Sequence, residues 1–184
     1  MKNLKFSFIV LMAIVPLSFA CDDDEGPTSV EIPFEAEFYT EPGEHRFAET
    51  CQPPVSETDF WGKDHQVGNG TATELGSFIT DLTFCFHIVL DENGVPDFTG
   101  GFGKYTDGEG YMEAENGNRI FVSIPEGLVK PTEKPGYRFE FQDIIYINGG
   151  TGRFEGATGE LLTDSYVGAT RTDHIWTGTL ILPN

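Results

Sequence analysis

Cations are scarce in this chain: 11 Lys and Arg stand against 30 Asp and Glu among 184 residues, a formal charge of −19. A surface of that sign repels phosphate backbones, which excludes nucleic acid as a partner and disfavours charge-driven contact with anionic lipid. Catalytic signatures are missing too. There is no G-x-S-x-G elbow, P-loop, C-x-x-C or H-E-x-x-H, so hydrolase, kinase and zinc chemistries lack a starting residue. The run Gly150-Thr151-Gly152-Arg153-Phe154-Glu155 places Glu155 where a dinucleotide fingerprint needs its last glycine, and no βαβ pattern surrounds it. His87 and His174 have no partner at metal-ligand spacing, so neither a metal nor another cofactor is expected. Apolar residues recurring every 3.6 positions are also absent, which argues against a helical bundle.

The chain holds instead 22 Gly, 11 Pro and 16 Phe, a balance suited to short strands joined by tight turns. Residues 32–39 alternate apolar and polar, the pattern of a strand with one buried face. Residues 41–63 are irregular, with Pro42, Pro53 and Pro54, and read as a long connection. Leu82, Phe84, Phe86, Ile88 and Leu90 then share one face, and Thr83, Cys85, His87 and Val89 the other. Asp91-Glu92-Asn93-Gly94 and Asn116-Gly117 signal hairpins, the second suited to a type I′ turn. Phe139, Phe141, Ile145 and Ile147 alternate again, and residues 175–182 close the chain with another alternating run. About eight strands at this spacing fit an all-β sandwich or a closed barrel.

The N-terminus carries Lys2 and Lys5, an apolar run over 6–17, and Ser18-Phe19-Ala20 before Cys21, the layout of a secretion signal. A Cys directly after the small residue resembles a bacterial lipoprotein signal, in which Cys21 becomes the lipidated first residue. Asp22, Asp23, Asp24 and Glu25 follow, resembling the acidic tract of Bacteroidetes surface lipoproteins. The resemblance implies a signal over 1–20, an acidic tether over 21–30, a domain over 31–184, and an outer-membrane protein held at the cell surface by lipid. A cleaved signal with a solvated acidic tail is the alternative. With Cys21 lipidated, Cys51 and Cys85 are the remaining pair, and in an oxidising compartment a disulfide between them is expected, worth about 3–4 kcal/mol by loop closure. Two buried free thiols are the rival reading.

The stretch Ile145-Tyr-Ile-Asn-Gly149-Gly150-Thr151-Gly152-Arg-Phe154-Glu-Gly156-Ala157-Thr-Gly159 resembles the signature shared by allene oxide cyclases, dirigent proteins and their bacterial barrel relatives. Leu75-Gly76-Ser-Phe-Ile-Thr-Asp-Leu-Thr-Phe-Cys85 is similar to that family's early strand. The resemblance implies a single eight-stranded antiparallel β-barrel with a lumen, forming homo-oligomers in plant members, with glycines in a tight connection and Phe154 and Ala157 plugging one end. It also implies binding of an apolar intermediate that the fold holds while it reacts. Asp143 lies on the odd-numbered face with Phe141 and Ile145, where burial would raise its pKa and suit it to acid or base work. A bulge at Gln142-Asp143 that turns the carboxylate to solvent or onto a backbone amide is the competing reading. Three functions follow as expectations: a surface-anchored module binding a small apolar or glycan ligand, a cyclase- or isomerase-like enzyme using the lumen, or an interaction protein whose barrel is filled by its own side chains.

Overall fold

The computed structural model describes residues 29–97 and 103–184, an all-β structure of nine strands and one 3₁₀ turn. The signal segment, Cys21 and the acidic tract lie outside the described residues. The strands are β1 (Ser29–Pro42), β2 (Asp59–Ala72), β3 (Gly76–Val89), β4 (Gly103–Ala114), β5 (Arg119–Pro131), β6 (Phe139–Phe141), β7 (Ile144–Gly150), β8 (Thr158–Val167) and β9 (Thr172–Pro183). Ser29 and Val30, expected in the tether, pair with Pro183 and Leu182 and so belong to the sheet.

Eight strands close an antiparallel barrel in the circuit β1-β2-β3-β4-β5-β7-β8-β9, with β9 returning to β1. Each connection joins neighbours, so closure removes every sheet edge. The short β6 is additional to that circuit. It pairs with β5 and β8, the same neighbours as β7. Against β8 the pairs Phe141↔Ser165 and Ile144↔Leu162 continue one register, and the Thr163 amide donates to the Asp143 carbonyl between them at 3.0 Å. The bulge considered at Gln142-Asp143 is therefore not formed on the β8 side. The slip lies against β5, where the partners do not keep one register between Lys130↔Glu140 and Ser123↔Tyr146.

Alternation decides which side chains fill the barrel. In β1, Phe34, Ala36, Phe38 and Thr40 point inward and are buried, while Glu35 and Glu37 face out. Phe78, Leu82, Met112, Ile120, Ile145, Leu161 and Leu180 complete the same core from the other staves. Burying such side chains contributes about 1.5–3 kcal/mol each.

The two ends of the barrel differ. At one end the connections are tight turns. Chain 149–157 folds over it with Gly149, Gly152 and Gly156 at positive φ, conformations that favour glycine, and it sinks Phe154 and Ala157 to 1% and 0% exposure. Leu75 caps the same end, and Arg153 pairs with Glu74 across it. The expected plug is thus present. The hairpin at Asn116-Gly117 differs from the type I′ form. Gly117 alone has positive φ there, and its amide returns to Ala114 at 2.9 Å. Glu115 and Asn116 form the centre of a type I turn, and Gly117 takes the left-handed position that follows it. Asn116 gains by the change: its side-chain oxygen accepts the Asn118 amide at 3.0 Å. At the other end two connections, over 43–58 and 90–102, are long, and there the functional candidate lies.

Candidate functional site

The long connection over 43–58 leaves β1, crosses the open end and returns to β2. It is irregular yet pinned. Phe47 and Lys63 pair through the Phe47 amide at 2.7 Å, and the Lys63 amide binds the Glu49 carbonyl at 2.8 Å. Cys51 and Cys85 form the expected disulfide, with Cα atoms 5.9 Å apart. Cys85 sits on the outer face of β3, so the staple holds the connection against the barrel wall from outside. Phe47 itself has φ 59°, a left-handed conformation that a bulky side chain adopts only when its surroundings impose it. Imposed in this way, the ring turns over the barrel mouth.

Beneath it is a cavity of about 310 Å³, within the range of small-ligand sites. Six aromatic rings line it, Phe47, Phe84, Phe86, Tyr105, Phe139 and Phe141, beside aliphatic and polar side chains. Several of these rings meet edge to face, Phe84 with Tyr105 at 5.5 Å and Tyr105 with Phe141 at 5.8 Å between centroids. The barrel is therefore filled by its own side chains near the plugged end and open at the other.

Polar groups enter the cavity at defined points. Asp64, 5% exposed, takes two hydrogen bonds from Arg46, at 2.6 and 3.0 Å. The Gln66 amide adds two more, at 3.1 and 3.2 Å. This forked pair neutralises a carboxylate that burial alone would make costly, and it joins the mouth connection to β2.

Asp143 keeps the inward, odd-numbered side of its stave and is half-buried. It accepts the Tyr105 hydroxyl and the Leu128 amide, so both readings of it hold in part: the carboxylate faces inward, and it also satisfies a backbone amide. Desolvation by burial pushes its pKa up, and these two hydrogen bonds oppose that rise. Tyr105 is in turn pushed well above the ordinary phenol range, by burial first and by the adjacent carboxylate second. Asp143 does not line the cavity. Tyr105 does, and it stands between the two. The contact depends on Gly127, directly opposite Tyr105 in the β4–β5 register. A Cβ at that position would fall 2.0 Å from Tyr105 Cζ, so only glycine lets the ring lie across β5 to reach Asp143.

The second polar group was not legible as a site in the sequence. His174, buried, opens β9 with its ring inside the barrel, stacked on Phe38 at 4.5 Å and 15°. Its Nε2 is 3.0 Å from Thr40 Oγ1 and its Nδ1 2.8 Å from Ser165 Oγ, and Ser165 bonds Thr163. Burial lowers the imidazole pKa to about 3, so the ring is neutral. The signal that could have found it is Thr40, which continues the buried face of Phe34, Ala36 and Phe38 as a lone hydroxyl. A polar residue on an apolar stripe requires a partner, and the register Phe38↔His174 supplies one next door. His87 also borders the cavity but belongs to the other face of β3, stacked on Trp61 at 4.9 Å and 2.7 Å from Asp59.

Comparison with family models, with curated proteins and with solved structures finds no match.

Proposed function

We propose that the chain is a surface-tethered binding module, anchored through lipid on Cys21, whose barrel holds a small apolar ligand in the cavity at its open end. The observation that carries this reading is the 310 Å³ cavity walled by six aromatic rings. The six rings favour a guest with a large apolar surface over a glycan, whose many hydroxyls would each need a polar partner when taken from water. The tight connection over 149–159, resembling that of the cyclase and dirigent barrels, fits the same reading.

Titration with a panel of small aromatic compounds and of oligosaccharides, followed by NMR shifts of the cavity residues, tests it. Binding by members of the aromatic set is expected, and Val89→Trp, at an exposed position on the cavity rim, abolishes it without lowering Tm. Loss of the reading follows if no compound shifts those resonances, or if binding survives Val89→Trp.

A cyclase- or isomerase-like reading rests on a separate observation, the Tyr105–Asp143 hydrogen bond against the cavity wall. In it Asp143, with its raised pKa, exchanges a proton with bound substrate through Tyr105. Asp143→Asn abolishes turnover under that reading and alters only affinity under the first.

A further inference from the structure

We propose that Thr40 is the specificity-determining contact of the cavity and that His174 lets it act as either hydrogen-bond donor or acceptor, so the ligand is an apolar molecule with one neutral oxygen, hydroxyl or carbonyl, at its buried end. This rests on the binding reading above and adds what the cavity recognises.

Thr40 lines the cavity, and its hydroxyl is fixed from behind by His174 Nε2. The ring is neutral, so one nitrogen carries a proton and the other accepts one. Two proton arrangements are compatible with the three contacts of the chain. In the first, Thr40 O–H donates to Nε2, Nδ1–H donates to Ser165, and Ser165 O–H donates to Thr163. Thr40 then offers a lone pair to the cavity, which suits a ligand hydroxyl. In the second, Nε2–H donates to Thr40, Ser165 O–H donates to Nδ1, and Thr163 O–H donates to Ser165. Thr40 then turns its O–H to the cavity, which suits a ligand carbonyl. The Thr163–Ser165 bond works in either direction, so nothing else in the barrel need move. Phe38 on one face and Phe141 at the edge hold the ring in place in both. Asp64, which also lines the cavity, is already taken by hydrogen bonds from Arg46 and from the Gln66 amide.

The test uses the protein labelled with ¹⁵N in histidine and two probes of one skeleton, 1-phenylethanol and acetophenone. The expected result is that both bind and that the two His174 ring nitrogens exchange their protonated and unprotonated resonances between the two complexes. Thr40→Val weakens both about fivefold, the worth of one hydrogen bond, and Thr40→Ser, which keeps the hydroxyl, restores them. One tautomer in both complexes, or binding indifferent to Thr40→Val and Thr40→Ser alike, overturns the inference and leaves the binding reading standing. Failure of both probes to enter the cavity removes the binding reading and this inference with it.

Discussion

The plugged end and the open end of this barrel are made from the same eight strands but solve opposite problems. At the plugged end the turns are short, glycines supply the left-handed backbone, and Phe154 fills the axis to 1% exposure. Around the mouth two connections are long, a disulfide and backbone bonds hold the one over 43–58, and the rings stop short of filling the space. Stability is concentrated where the barrel is filled, and recognition where it is not. Such a division lets a small domain keep a cavity at one end without giving up its core.

The largest effect expected is at the plug. Phe154→Ala removes a fully buried ring and costs about 3–5 kcal/mol, whereas Phe47→Ala at the mouth costs under about 1 kcal/mol and lowers ligand affinity instead. Urea melts of the two variants check this, and equal losses would erase the contrast. Next comes the staple. Replacing Cys51 and Cys85 by Ser frees the mouth connection and costs about 3–4 kcal/mol, with ligand affinity falling along with stability.

A smaller effect depends on pH. His174 is neutral in the barrel with a pKa near 3, against about 6.5 in the unfolded chain. A depressed base pKa means that the unfolded state takes up the proton first, so its contribution is fully present above pH 6.5 and is lost as pH falls from 6.5 toward 3. The loss approaches about 1.4 kcal/mol per pH unit. His174→Gln is less stable at pH 7 but loses less between pH 6.5 and 5, as melts across that range will show. Smallest is Asp143→Asn. The raised carboxyl pKa means the folded state prefers the protonated form, so the charged group detracts from stability above its folded pKa and ceases to do so below the ordinary carboxylate range. Neutral Asn relieves that cost at pH 7 while still accepting the Tyr105 hydroxyl, and a slight rise in Tm is the expected readout. A fall in Tm at pH 7 with none at pH 3 would reverse the sign.

Much of the fold was legible in the sequence because strand alternation is a local signal. Phe34-Glu35-Ala36-Glu37-Phe38 states its inward face residue by residue, and the glycines of 149–159 mark the plug. The disulfide followed from which cysteines were left. Boundaries and turn type were less legible: Ser29 and Val30 are polar-flanked residues that only their pairing with β9 reveals as strand, and Asn-Gly is compatible with two hairpin geometries that differ in the φ of one residue. Within the site, Asp143 could be placed on the inward face by parity, but Tyr105 standing between it and the cavity depends on Gly127 of β5, whose place between β4 and Asp143's stave only the pairing reveals. The Thr40–His174–Ser165 chain joins residues up to 134 positions apart, and closure of the barrel between β1 and β9 alone brings them together.

The central claim is that the barrel is packed at one end and open at the other, and xenon-pressurised crystals test it most directly, because an apolar void takes up xenon. The account predicts a xenon atom among Phe84, Phe86 and Phe141 and none between Phe154 and Trp176. Xenon in neither place, or only near the plug, would contradict it.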